Sequence, residues 1–216
     1  MGIASYIDHT LLKPTATAEE LKKLCMEAAE YSFASVCVNP CNVAAAKDYL
    51  KDTSVKICTV IGFPLGAGKT ETKVFEAKEA LKDGCDEFDM VINIGKLKDK
   101  DYDFVRADIA AVKEAIGEKT LKVIIETGLL EDEEKVAVSK LCLEAKADFV
   151  KTCTGFAKGS ATVEDIALIK ATVGDNSFIK ASGGVRDYAS AMALINAGAN
   201  RIGASAGIAI VADENK

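Results

Sequence analysis

The sequence is poor in the residues that many catalytic and structural solutions require. It holds one histidine, His9, no tryptophan and only 3 prolines in 216 residues. A single imidazole excludes His-rich zinc sites and di-metal hydrolases, and any triad with an imidazole base unless His9 itself serves. The seven cysteines (25, 37, 41, 58, 85, 142 and 153) are odd in number, include no Cys-x-x-Cys pair and mostly lie in apolar stretches. Reduced, buried thiols are therefore expected rather than a disulfide framework. Long apolar runs are also missing: 60–63 and 208–211 fall far short of the roughly 20 residues needed to cross a bilayer, so no membrane partner is expected. The first residues lack a charged region followed by an apolar stretch, and Tyr6 stands where a myristoylation signal needs Ser or Thr, which predicts a cytoplasmic location. Basic and acidic residues, 27 and 33 in number, are mixed along the chain, and the net charge of −6 leaves no basic face for nucleic acid.

What is present is the balance of a globular chain, 49% hydrophobic and 28% charged, able to bury a core. Short β-rich apolar runs at 6–9, 35–39, 56–62, 87–93, 122–126, 149–153, 178–182 and 201–205 alternate with longer segments of helical spacing. In the first such segment, 18–31, Leu21, Leu24, Cys25, Ala28 and Ala29 follow one helical face. Helix starts are signalled by Thr17 with Glu20, by Thr162 with Asp165, and by the acidic run 131–134 at a positive dipole end. Eight strand-then-helix units joined by right-handed crossovers predict an α/β fold, a single (β/α)8 TIM barrel over 1–216. A doubly wound open sheet is the structural alternative, and it usually has fewer strands. No linker or low-complexity tract interrupts the pattern.

Strands covered on both faces should be almost wholly apolar, and three break that rule. If Phe88, Met90 and Ile92 face the helices, Asp89 faces the barrel interior; if Val150 and Ile179 face the helices, Lys151 and Lys180 also point inward. Both lysines are third in their strands, so on neighbouring strands roughly 4.8 Å apart their ammonium groups should lie side by side. Each charge alone could be a structural ion pair or a register error. Two lysines with one carboxylate cannot be neutralised by simple pairing, which favours a functional cluster. A desolvated lysine beside a second cation can lose its proton, attack a carbonyl and form a Schiff base, an electron sink suited to making or breaking a carbon–carbon bond. The carboxylate, alone or through a water, would move protons.

The segments Ser182-Gly183-Gly184-Val185-Arg186 and Gly203-Ala204-Ser205-Ala206-Gly207 follow strands seven and eight. In such barrels these loops, with a helix N-terminus, commonly bind phosphate through backbone N–H groups, although Gly-Gly alone usually marks only a turn. Thr154-Gly155 after strand six is a less specific contact. The run Gly66-Ala67-Gly68-Lys69-Thr70 resembles a phosphate-binding loop, but the required first glycine falls on Phe63, so nucleotide hydrolysis is not expected.

The stretches 8–13 (DHTLLK), 35–40 (SVCVNP), 62–77 (GFPLGAGKTETKVFEA), 86–95 (DEFDMVINIG), 150–156 (VKTCTGF), 180–186 (KASGGVR) and 201–207 (RIGASAG) resemble the deoxyribose-phosphate aldolase family of class I Schiff-base aldolases over essentially the whole chain. The resemblance implies reversible cleavage of 2-deoxy-D-ribose 5-phosphate to acetaldehyde and D-glyceraldehyde 3-phosphate in deoxyribonucleoside catabolism, with no metal or other cofactor. It implies that Lys151 forms the Schiff base, that Lys180 perturbs its pKa and that Asp89 relays protons with a water. Asp8, Thr10 and Thr154 would lie near the sugar, and Gly155, Gly183, Gly184, Gly203 and Ser205 would line the phosphate end. The chain departs from some relatives in carrying Phe156 in place of a phosphate-reaching lysine, Ala206 in place of a serine, and a tail, 213–216, without a terminal tyrosine. Phosphate binding would then lean on backbone N–H groups, and a water with Asp89 would have to suffice for proton transfer.

Two other readings stay open on residues alone: a different Schiff-base lyase, keto-acid or transaldolase-like, and a non-catalytic phosphate-binding barrel. The expected partner is a small phosphorylated sugar. The exposed helical faces of a small barrel would also permit a homodimer, though no interface stripe is evident.

Overall fold

The computed structural model describes residues 2–214. Eight parallel strands, each hydrogen-bonded to the next and β8 to β1, close into a barrel. They are β1 (Ile7–Leu11), β2 (Ser35–Val38), β3 (Lys56–Ile61), β4 (Glu87–Val91), β5 (Thr120–Ile124), β6 (Phe149–Lys151), β7 (Phe178–Ser182) and β8 (Arg201–Ala204). Helices α1 (Ala18–Glu30), α2 (Val43–Leu50) and α3 (Thr70–Lys82) follow the first three strands; α4 (Ile94–Lys98) and α5 (Tyr102–Ile116) both follow β4. The remaining helices are α6 (Asp132–Glu144), α7 (Val163–Val173), α8 (Tyr188–Asn196) and α9 (Gly207–Ala212). All eight expected strands are present, with ends displaced by one or two residues. β6 stops at Lys151 instead of 153, and beyond it the Thr152 hydroxyl turns to the Ser182 carbonyl, 2.9 Å away. β5 begins at Thr120, and the expected segment 122–126 ends in a loop.

Local chemistry sets the helix starts. Thr17 and Glu20 form the predicted capping box of α1, Thr162 accepts from the Asp165 N–H to open α7, and Glu131 with Glu134 closes a box on α6. Two apolar layers result. The large one lies between strands and helices and contains Phe88, Met90, Ile92, Val150 and Ile179, the residues expected to face outward. A small one, Leu12, Cys37, Cys58 and Val60, lies inside the barrel. Complete burial of each such aliphatic side chain is worth about 1.5–3 kcal/mol. In the outer layer Lys73 is buried, donating to Asp108 at 2.6 Å and to the Val91 carbonyl at 3.0 Å, which ties α3 and α5 to the end of β4. The phosphate-loop look-alike serves this junction: Thr70 donates its hydroxyl to Asp108 at 2.8 Å. Gly66, at φ +67, presses on the Ile92 carbonyl, where no side chain would fit. Six cysteines are buried and Cys41 is exposed, all of them free thiols. Among the described residues no helix is long and apolar enough to cross a membrane. The expectation about the tail falls partly on Asn215 and Lys216, outside the described residues.

Candidate active site

Period-two alternation on β4, β6 and β7 sends Asp89, Lys151 and Lys180 into the barrel, where they meet. Asp89 Oδ2 accepts from Lys151 Nζ at 2.6 Å and from Lys180 Nζ at 2.7 Å. Lys151 and Lys180 face one another directly in the ladder, as their shared third position predicted.

The cluster is larger than those three residues, and the idea of two lysines sharing one carboxylate needs correcting. Lys122 stands opposite Asp89 in the ladder and lies 3.0 Å from its Oδ1, 2.5 Å from Glu87 and 3.8 Å from Asp8. Arg201, opposite Lys180, donates to Asp8 at 2.6 Å and to both Glu87 oxygens at 3.2 and 3.3 Å. Lys180 completes the ring with Asp8 at 2.5 Å. Four cations therefore interlock with three carboxylates. Glu87 could have been found by its phase, two residues before Asp89 on the same face. Lys122 opens the expected segment 122–126 but is the central residue of β5 as folded, and Arg201 opens β8; charges at strand starts usually reach solvent.

Burial alone would push the carboxyls of Asp8 and Asp89 up, but the ammonium groups around them prevail. Lys122, Lys151 and Lys180 hold Asp89 well below the usual carboxylate range, and Lys180, Lys122 and Arg201 do the same for Asp8. Burial would favour the neutral amine at Lys180, yet Asp8 and Asp89 raise its pKa and keep it charged; Lys122 is likewise raised by its contacts with Asp89, Glu87 and Asp8.

Above this layer, at the carboxyl ends of the strands, a cavity of about 400 Å³ opens. Of the seven charged residues only Lys151 reaches its wall. Thr10, Thr154, Gly155, Gly183, Gly184, Gly203 and Ser205 line it. Asp8 does not: it lies two residues before Thr10 on the same strand face, one layer deeper, bound to Lys180 and Arg201. Asp89 and Lys180 also lie beneath the cavity rather than on its wall. Consecutive Gly183 and Gly184 take φ of +95° and +79°, and a Cβ on Gly184 would meet Ser160 at 2.8 Å. A Cβ on Gly203 would come within 3.0 Å of Lys180 Cε, so this glycine makes room for the buried lysine.

Sequence reasoning missed the side chains at the cavity mouth. These are Lys13, paired with Glu20, and the exposed Arg186; Phe156, singled out by its place after Thr154-Gly155, lines the mouth too, its ring meeting Phe63 edge-on at 5.2 Å. It also missed Glu126, a buried residue in the left-handed region at φ +58, ψ +63, an arrangement that costs about 1–3 kcal/mol. Its carboxylate accepts the Thr154 N–H at 3.1 Å and the Thr154 hydroxyl at 2.5 Å, fixing the loop three residues beyond Lys151. His9 is not on this cavity; it is buried against Phe33, with Nε2 2.8 Å from Glu27 of α1.

Known proteins share this arrangement of elements. Residues 3–213 match the sequence profile of the DeoC/LacD family aldolases. A deoxyribose-phosphate aldolase of Halalkalibacterium halodurans is 61% identical over 215 residues, covering 99% of this chain and 96% of its own. One from Caldanaerobacter subterraneus subsp. tengcongensis is 58% identical over 219 residues, covering 100% and 95%. Among solved structures, the tetrameric deoxyribose phosphate aldolase of Aeropyrum pernix superposes with a TM-score of 0.91 at 30% identity, over 99% of this chain and 91% of that one. By profile, identity and fold alike, the chain belongs to the DeoC/LacD family of aldolases.

Proposed function

We propose that this protein is a class I aldolase that reversibly cleaves 2-deoxy-D-ribose 5-phosphate to acetaldehyde and D-glyceraldehyde 3-phosphate through a Schiff base on Lys151. The observation that carries the reading is that three lysine amines crowd one buried carboxylate, and only Lys151 opens into the cavity. Charge and position support the choice. Four cations face three carboxylates, and of the four only the Lys151 amine, beside the cavity, is positioned to meet a carbonyl.

The amine adds to the aldehyde carbon of the open-chain sugar, and loss of water yields the iminium. A base takes the proton of the C3 hydroxyl, the C2–C3 bond breaks, and its electron pair moves toward the iminium to leave an enamine. Glyceraldehyde 3-phosphate departs. The enamine is protonated at carbon, and hydrolysis of the new iminium frees acetaldehyde and returns the amine. Lys180 and Lys122 supply fixed positive charge throughout. Asp89, which accepts from Lys151 at 2.6 Å, is the carboxylate through which protons pass, with a water bridging it to the sugar. Thr10 and Thr154 lie on the sugar's path. Backbone N–H groups of the Gly155, Gly183–Gly184 and Gly203–Ser205 turns, with Arg186 at the mouth, suit a phosphate monoester.

Borohydride reduction in the presence of acetaldehyde tests the reading. It should attach a single ethyl group to Lys151, read by peptide mass spectrometry; an unmodified Lys151 under conditions that reduce a free imine removes the mechanism.

A further inference from the structure

Two of the seven thiols face each other across neighbouring strands. Cys37 of β2 and Cys58 of β3 are direct partners in the parallel ladder, both fully buried and both inside the barrel beside Leu12 and Val60. Their sulfurs and a carboxylate oxygen of Asp89 all lie within 4.8 Å of one another. Cys58 donates its S–H to Asp89 Oδ1 at 3.1 Å, and Lys122 Nζ lies 3.3 Å from the Cys58 sulfur.

Two thiols and a carboxylate are a donor set for a thiophilic metal, but this neighbourhood disfavours one. Asp89 already receives the ammonium groups of Lys122, Lys151 and Lys180 within 3.0 Å, and these would repel a divalent cation. A reaction that joins the sulfurs and adds no charge fits better. Strand neighbours roughly 4.8 Å apart at Cα fall within the 4.4–6.8 Å span of disulfides. We infer that Cys37 and Cys58 form a reversible disulfide inside the barrel when the protein meets a hydroperoxide, and that this bond switches off the Lys151 site.

The two thiols are unequal in the way the chemistry requires. The neighbouring Cys58 thiol lowers the Cys37 thiol from its ordinary value, whereas burial pushes Cys58 well up. Thr10, which lines the cavity, is the ladder partner of Cys37, so the buried thiol lies one strand away from the cavity wall. The Cys37 thiolate attacks one oxygen of the hydroperoxide and the O–O bond breaks. The other oxygen leaves with a proton as an alcohol, or as water from hydrogen peroxide, and Cys37 becomes a sulfenic acid. The Cys58 sulfur attacks that sulfenic sulfur, the S–O bond breaks and water leaves. Two thiols have given two electrons to one O–O bond. The disulfide removes the S–H from Asp89 Oδ1 and bridges β2 and β3 beside the carboxylate that holds Lys151 and Lys180.

The switching half of the inference rests on the Schiff-base reading, so structure and activity are measured separately on the full chain. After hydrogen peroxide treatment, non-reducing peptide mapping should find the peptides carrying residues 37 and 58 linked and two hydrogens lighter. The yield of acetaldehyde trapped on Lys151 should fall at least tenfold, and dithiothreitol should restore both. Cys41→Ser should respond as the parent protein does. Cys58→Ala, or Cys58→Ser if the alanine variant does not fold, should form no link and should lose activity to over-oxidised Cys37 that dithiothreitol cannot rescue. Unlinked 37 and 58 peptides at a dose that oxidises Cys41 overturn the proposal, as does a linked protein with undiminished trapping. A reduced protein that never traps acetaldehyde would defeat the aldolase reading instead, leaving the linkage to be judged by mass alone.

Discussion

Lys122 gives the most demanding test of the charge layer, because it touches neither the cavity nor any expected position of the substrate. In Lys122→Met the flexible thioether fills most of the volume and the cation is lost. Asp89 retains Lys151 and Lys180, at 2.6 and 2.7 Å, and Glu87 retains Arg201. Removing one member of a buried ion cluster costs about 3–5 kcal/mol, and the surviving partners place this case near 3. That lies within the 5–15 kcal/mol stability of ordinary domains, so the variant should fold. The second effect is chemical. Three cations now face three carboxylates, and the excess positive charge that favours release of a proton is gone. At an effective dielectric of about 20, two unit charges about 6 Å apart repel by about 3 kcal/mol, or two decades in an equilibrium constant. The alkaline rise of the pH–rate profile for aldehyde trapping should therefore move up by about two pH units, while urea unfolding shows the stability loss. A destabilised variant with an unmoved profile would make Lys122 purely structural and refute the charge-balance argument.

Lys151→Leu should abolish trapping and cleavage while circular dichroism stays native; residual turnover above the uncatalysed rate would transfer the chemistry elsewhere. Lys180→Leu should remain reactive only at higher pH, and equal loss at every pH would contradict its role as the neighbouring charge. Arg186→Ala should raise KM for the phosphorylated sugar with little change in kcat, and should leave unphosphorylated deoxyribose unaffected. Because Asp8 and Asp89 are held below the unfolded carboxylate value near 3.9, their stabilisation is complete above that value and is lost as pH falls below it. Acid titration by fluorescence or circular dichroism should show unfolding there, and Asp8→Asn should blunt it. Exposed Cys41 should react rapidly with a disulfide reagent in the native state while Cys25, Cys85 and Cys142 do not, since burial pushes Cys25 to about 11 and Cys85 and Cys142 to about 12.

The barrel was legible because its signals are local: each strand carries its own outward apolar set, and Thr17, Thr162 and Glu131 mark helix starts through contacts only three residues long. Asp89, Lys151 and Lys180 were legible for the same reason, as charges in the middle of apolar runs. Lys122 and Arg201 were not, because each opens a segment expected as a strand, and a charge there is ambiguous until the ladder register brings it opposite Asp89 or Lys180. That Asp8 lies one layer below the cavity wall was not legible, because a motif records adjacency along the chain but not depth within the barrel. Lys13, Arg186 and the Glu126–Thr154 clasp depend on how loops fold over one another, which no periodicity encodes.

Among the described residues the wall that meets the substrate contains no acidic side chain; its ionisable groups are Lys13, Lys151 and Arg186, and the carboxylates bound to the amines lie beneath it. Electrophiles bearing a positive charge would thus be turned away at the entrance, while the tail of an acceptor aldehyde is felt mainly by the rim. Remodelling Lys13, Phe156 and Arg186 should therefore retune which aldehydes are joined, leaving the nucleophile's own setting undisturbed.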